Sequence, residues 1–220
     1  SMPVEWTPEP RELADLELLL SGAFHPLTGF LGHADVHAVA ERGTLADGTP
    51  WPAPVTIHLP EEAEGEVTLL DPEGVPIAAM TVTERGPGGL AAGPVKGLGA
   101  PEHGPFSRLH RTTAQVREEL AGRPALAVTM RGPLDDLEEV AATAKELGAV
   151  ILLLPLSYGE EGPGVVRAAL RAAEQLPEGT MVVPVPLAPR KVQLRVARTT
   201  HLAGVEVPAE EQARLVAGLG

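Results

Sequence analysis

Ala149-Val150-Ile151-Leu152-Leu153-Leu154 is wholly apolar, follows Gly148 directly and runs into Pro155. Even extended to Leu156 it is far short of the roughly 20 residues that span a bilayer. An unbroken apolar run of this length belongs to a strand of a parallel sheet, which is covered on both faces. The residues before it supply the crossover. Leu134, Leu137, Val140, Ala141, Ala144 and Leu147 share one helical stripe that Gly148 ends, and Ala125–Met130 ahead of them reads as a strand. The spacing therefore predicts a βαβ unit. It predicts a continuation by a helix from Val165 to Gln175, a strand from Met181 to Leu187, a helical stretch from Lys191 to Thr199 and a last helix from Pro208 to Val216. Open sheets of this type bind ligands at the carboxyl ends of their strands, here Met130–Pro133, Pro155–Gly162 and Pro186–Arg190.

Before about Arg111 the texture differs: Pro and Gly are dense and the apolar runs are short and β-prone. Pro8 and Pro10 open a helix carrying Leu13, Leu16, Leu19 and Leu20, which Gly22 ends, and a second helix from Ala34 to Glu41 is closed by Gly43. Strands follow at Val55–Leu59, Glu66–Leu70 and Val75–Thr83, with Asp71-Pro72-Glu73-Gly74 as the turn between the last two. Short strands joined in this way suggest a small barrel. The texture changes once and no internal repeat is visible. The boundary falls near residues 112–122, where Thr112 and Thr113 precede a short helical pattern, Ala114 to Leu120, that stops at Gly122.

Charge and cysteine narrow the function classes. The 220 residues hold 30 acidic and 17 basic side chains, a formal charge of −13. Nucleic acid and anionic membrane are poor partners for such a surface, because phosphate backbones are bound by clustered Lys and Arg. With no Cys there is no disulfide framework, thiolate zinc site or cysteine nucleophile. The amino terminus lacks the basic-then-apolar order of a secretion signal, and Ser1-Met2 reads as a cleavage scar. A soluble, cytoplasmic protein is expected.

Long strings in the first half carry a family resemblance. They are Leu16-Glu17-Leu18-Leu19-Leu20-Ser21-Gly22-Ala23-Phe24-His25-Pro26-Leu27-Thr28-Gly29-Phe30-Leu31, Leu45-Ala46-Asp47-Gly48-Thr49-Pro50-Trp51-Pro52-Ala53-Pro54-Val55-Thr56 and Gly93-Pro94-Val95-Lys96-Gly97-Leu98, with Pro101-Glu102-His103 and Arg111-Thr112-Thr113-Ala114 after them. Together they resemble ATP sulfurylase (sulfate adenylyltransferase), an enzyme of sulfate assimilation. The resemblance implies a PUA-like β-barrel over residues 3–115, then a shortened Rossmann-like α/β nucleotidyltransferase domain over residues 116–220.

The second half keeps the family's layout and departs from its chemistry. Active members end the first strand of the nucleotide-binding domain in Gln-x-Arg-Asn-Pro and open the next helix with His-x-x-His. The resemblance places these on Thr129-Met130-Arg131-Gly132-Pro133 and on Asp135 and Glu138. Arg131 and Pro133 remain; Thr129, Gly132, Asp135 and Glu138 are the degenerate positions. Pro186-Leu187-Ala188-Pro189-Arg190 is similar to the family's Pro-Leu-Ala-x-Arg, and Arg198 matches its Ile-Arg arginine. The family's Gly-Arg-Asp-His string has no counterpart between Gly204 and Gly220. Arg131 is thus a catalytic remnant, and Arg131, Arg190 and Arg198 are the remaining candidate anion contacts.

The implied reaction joins sulfate to ATP and expels pyrophosphate, so every reactant is an anion. The helix start that should attract them carries Asp135, Asp136, Glu138 and Glu139. Each opposes a phosphate by about 1 kcal/mol at 4 Å in water and about 4 kcal/mol at an effective dielectric near 20. The histidine pair would have donated hydrogen bonds to the developing charge, and losing such donors costs about 2.7–4 kcal/mol each. Those carboxylates also have a structural use, since acids in a first helical turn complement the macrodipole by about 0.3–1 kcal/mol each.

Other candidates read as structural. His33, Asp35 and His37 offer ligands at i, i+2 and i+4 but serve equally as a helix start, with His33 or Asp35 as cap, so no metal is expected. Asp47-Gly48 is a turn former. Gly86-Pro87-Gly88-Gly89 and Gly97-Leu98-Gly99 precede neither Lys-Ser/Thr nor a helix after a strand, so no phosphate loop and no adenylylsulfate kinase is encoded here. The loop Ser157–Gly164, at a strand's carboxyl end, is compatible with an uncharged or cationic ligand and disfavours a polyphosphate. The expectation is a noncatalytic module of sulfate activation that assembles with an adenylylsulfate kinase, an active sulfurylase or copies of itself, with no cofactor. The alternative is a divergent active sulfate adenylyltransferase using ATP and Mg. An RNA-binding barrel is disfavoured by the charge.

Overall fold

Pro10 sits at the first position of the first helix, where its missing N–H is no loss, and the chain leaves that helix through Gly22 at φ 82°. The computed structural model describes residues 2–99, 106–194 and 203–207. In order they form β1 (Val4–Trp6), α1 (Pro10–Ser21), β2 (Gly29–Phe30), α2 (His33–Arg42), β3 (Ile57–His58), β4 (Gly65–Leu70), β5 (Pro76–Val82), β6 (Glu84–Arg85), β7 (Leu90–Gly97), α3 (Thr113–Leu120), β8 (Ala125–Met130), α4 (Leu137–Leu147), β9 (Val150–Pro155), α5 (Gly162–Gln175), β10 (Met181–Val182), β11 (Arg190–Leu194) and β12 (Ala203–Val207).

The first seven strands make one sheet in the order β1-β4-β5-β7-β2, with β3 and β6 also pairing β7. Its core follows strand periodicity: Val67 and Leu69 of β4 lie opposite Met80 and Ala78 of β5, and all four are fully buried. The β4–β5 turn is tied by Asp71, whose Oδ1 accepts the N–H groups of Glu73 at 2.9 Å and Val75 at 2.8 Å. Leu16 and Leu19 of α1, Val39 of α2 and the edge-to-face pair Phe24–Trp51 pack into the same cluster. Glu12 is buried with it, accepting the Glu9 amide at 3.0 Å and the His58 amide at 2.7 Å.

Two glycines let β7 approach its neighbours, Gly29 on the β2 side and Gly93 on the β5 side. A Cβ at Gly29 would overlap the Gly93 carbonyl oxygen, and one at Gly93 would overlap the Thr81 carbonyl oxygen. Gly93 also holds φ 151°. Strand β7, the hub of this sheet, was not expected; its Leu-Ala-Ala-Gly-Pro-Val-Lys-Gly string is too small and too interrupted to show a strand pattern.

The second sheet is parallel throughout, in the order β10-β9-β8. Successive strands add in one direction, so right-handed crossovers put α4 and α5 on one face. There Met130, Ile151 and Leu153 meet Ala144 of α4 and Val165, Ala169 and Ala172 of α5. The expected βαβ pattern is therefore present, and the whole is an α/β protein with a mostly antiparallel sheet first and a parallel sheet second. The strand expected from Met181 to Leu187 is regular only at Met181–Val182. Its ladder continues through the Val183 and Val185 amides, bonded to Leu153 and Pro155 at 2.9 Å each, while Pro184 and Pro186 have no N–H to give.

The helical stretch expected from Lys191 to Thr199 is overturned over residues 191–194. Arg190–Leu194 is a strand, β11, antiparallel to β12. Lys191-Val192-Gln193-Leu194 alternates polar with apolar, and period two with β-branched Val outweighed the helix formers around it. Residues 195–199 and the expected helix from Pro208 to Val216 lie outside the described residues.

Candidate functional site

At the carboxyl end of β8 the chain passes through Arg131 and Gly132 to a polar helix start. Asp136 is the N-cap of α4, its Oδ1 accepting the Glu139 N–H at 2.9 Å. Asp135 precedes the cap, and Glu138 and Glu139 occupy the first turn; all four carboxylates and Arg131 are exposed. The helix end that would present free N–H groups to a phosphate is therefore occupied by its own side chain and ringed by negative charge. Thr129 is the penultimate residue of β8. Arg190 opens β11, and Arg198 lies outside the described residues.

A different site lies between α1 and the carboxyl edge of the parallel sheet. Two cavities, of about 440 and 370 Å³, share Glu17, His110, Pro184 and Pro186 in their walls. The first is bounded by Pro10 and Leu13 on one side and by Ser157 and Tyr158 of the β9–α5 loop and Pro163 of α5 on the other. That loop is pinned at both ends. The Ser157 N–H donates to the Val185 carbonyl at 3.0 Å, and a Cβ at Gly162 would overlap the Ser157 carbonyl oxygen. The second cavity lies against the sheet face that α4 and α5 leave open, with Ala127, Leu152 and Leu154 facing Gly22 and Val116. Arg111 and Arg117 also line it, and Arg111 is engaged by Glu119 at 2.6 Å and by the Arg108 carbonyl at 2.7 Å.

The lobes are joined around this cleft. The Thr113 hydroxyl donates to the Ser21 carbonyl at 3.4 Å, and Arg11 donates to the Pro189 carbonyl. Leu156 and Leu187, from the second half, complete the core of the first. Glu17 and His110 were not expected as site residues. A signal existed for Glu17: it falls at i+4 from Leu13 and three before Leu20, on the apolar stripe of α1. Burial pushes its carboxyl up to about 6 and pulls the His110 imidazole below its ordinary range. Nothing in the spacing around His110 marks it.

The remaining candidates are structural. Gly32, not His33 or Asp35, is the N-cap of α2; Asp35 instead accepts the Ala46 N–H at 2.8 Å, and His37 pairs with Glu41 at 3.3 Å. Among the described residues no group of three His, Cys, Asp or Glu is placed to hold a metal, and no helix is long and apolar enough to cross a membrane.

Comparison with known proteins supplies the context. Residues 4–85 match the family model of the PUA-like domain. The chain is 33% identical over 195 residues to a sulfate adenylyltransferase of Deinococcus radiodurans, covering 71% of this chain and 50% of that protein. A Symbiobacterium thermophilum sulfate adenylyltransferase is 32% identical over 209 residues, covering 77% and 53%, and one from Saccharomyces cerevisiae is 29% identical over 198 residues, covering 72% and 39%. A solved structure titled hexameric APS kinase from Thiobacillus denitrificans aligns with 99% of this chain and 45% of its own, at TM-score 0.74 and 25% identity. The chain thus spans about half the length, or less, of the relatives it matches. On these matches the chain belongs to an ATP sulfurylase-related family.

Proposed function

We propose that this chain is a noncatalytic sulfurylase-type module of sulfate activation, divided near residue 115, that acts by assembly with an adenylylsulfate kinase or an active sulfurylase. The observation that carries the reading is the start of α4, where Asp136 caps the helix beside Asp135, Glu138 and Glu139, the stretch on which the resemblance places the family's histidine pair at Asp135 and Glu138. At these exposed positions the water-like figure applies, about 1 kcal/mol per carboxylate against a phosphate at 4 Å. Four together outweigh the single exposed Arg131. The similarity to a chain titled APS kinase supports a place beside such an activity.

Isothermal titration with ATP, a sulfate analogue and adenylylsulfate tests the reading. No micromolar heat and no pyrophosphate release are expected. Micromolar ATP binding, with pyrophosphate release that disappears in Arg131→Ala, overturns it in favour of a divergent adenylyltransferase.

A further inference from the structure

The cleft between α1 and the β9–α5 loop has a composition opposite to that of a nucleotide site. Among the described residues no Lys or Arg lines the first cavity; its polar groups are Thr7, Glu17, His110, Ser157 and Tyr158, set among Pro8, Pro10, Pro163 and Pro186. A volume of about 440 Å³ is within the range that holds a small organic molecule. Among the described residues no donor is paired with the Glu17 carboxylate. A half-buried carboxylate without a donor is a standing cost that a ligand cation removes. The cleft also opens at the carboxyl edge of a parallel sheet, where α/β proteins place their ligands.

We propose that this cleft is a binding site for a small organic cation, an ammonium group on a flat apolar body, with the charge paired to Glu17 and the body held between the proline walls and Tyr158. The groups facing Glu17 favour this choice. His110 is kept neutral by burial and accepts rather than repels, Tyr158 offers a hydroxyl, and Arg111 on the second cavity is engaged by Glu119. Arg117 also lines the second cavity. An anionic ligand would meet Glu17 with no Lys or Arg among the described residues of the first cavity to compensate it.

Tryptamine is a suitable probe, and indole-3-acetate, the same ring bearing a carboxylate, is its control. Titration of the 220-residue chain at pH 7.5 is expected to show one saturable tryptamine site and no saturable heat from indole-3-acetate. Glu17→Gln removes the charge-assisted contact and is expected to weaken tryptamine at least about tenfold. Lowering the pH to 5 protonates Glu17, whose carboxyl titrates near 6, and weakens the wild type about tenfold with a smaller change in the variant. Pro72→Trp, at the exposed rim, plugs the cavity without touching the core and weakens tryptamine independently. Absence of saturable tryptamine binding, equal or tighter binding of indole-3-acetate, or wild-type affinity in both variants overturns the proposal. These readings are separate from the ATP titration, so either conclusion can fail alone.

Discussion

Asp136 accepts the backbone N–H of Glu139 at 2.9 Å, so one of the open donors in the first turn of α4 is satisfied from within the chain. Removing such a cap typically costs about 1 kcal/mol. Asp136→Ala is expected to lower the urea-unfolding free energy by that amount, and Asp136→Asn, which keeps an acceptor, by less. Equal losses from the two would show that charge at the helix end matters more than the hydrogen bond.

The carboxylates flanking that cap make a second prediction. Asp135→His with Glu138→His removes two negative charges and adds two donors. At about 1 kcal/mol per exposed charge, reduced by salt, pyrophosphate affinity at low ionic strength is expected to rise about tenfold. On the proposed noncatalytic reading no turnover is expected from this variant, because the resemblance places the family's Gln and Asn at Thr129 and Gly132, which the variant leaves unchanged. Unchanged pyrophosphate affinity would show that these carboxylates do not oppose phosphate binding at the start of α4.

The contacts of β7 with β2 and β5 make a packing prediction. Gly29→Ala and Gly93→Ala each put a methyl group into a backbone carbonyl oxygen, and the second also asks a side chain to adopt φ 151°. Neither clash is relieved by rotating a side chain. Both variants are expected to lose several kcal/mol or to fail to accumulate as soluble protein, whereas Gly43→Ala, with open space around it, loses only about 1 kcal/mol for its φ of 66°. Thermal unfolding of the three variants distinguishes them.

Much of this architecture was legible because its signals are local. Gly22, Gly43 and Gly148 end helices in the left-handed conformation as their positions suggest, and Ala125–Met130 is a strand at those limits. What escaped depends on distant partners. Strand β7 exists because β2, β3, β5 and β6 converge on it, and nothing in its own small residues shows that. The helix expected at Lys191 failed because the antiparallel partner Ala203–Val207 selects the extended form. The cleft was half legible: its β9–α5 loop could be placed at a strand's carboxyl end, while Glu17 and His110 become neighbours only when α1 packs beside the second lobe.

Glu12 carries a stability prediction of another kind. It is 7% exposed and ties α1 to β3 through the His58 amide at 2.7 Å while accepting the Glu9 amide at 3.0 Å. Glu12→Ala leaves both donors without their acceptor and is expected to cost about 2–4 kcal/mol in urea unfolding. Glu12→Gln retains one carbonyl oxygen and costs less. A loss under 1 kcal/mol for Glu12→Ala would mean that water replaces the carboxylate in the cavity it leaves.

Glu17 has the opposite sign. Its carboxyl titrates near 6 in the folded protein against an ordinary value of 4.5, because burial disfavours the charged form. Between those values the folded chain holds the proton more tightly than the unfolded chain, so this group's contribution is fully present below about 4.5 and is lost as pH rises through 6. Glu17→Gln removes the titration. The variant is expected to match the wild type near pH 4 and to exceed it by about 1–2 kcal/mol at pH 7.5, in the absence of added ligand. His110, pulled the other way by burial, is common to both proteins and cancels in the difference. Urea unfolding of the pair across pH 4 to 8 reads the gap directly, and a gap that does not widen with pH would show that Glu17 is solvated rather than buried in the cleft.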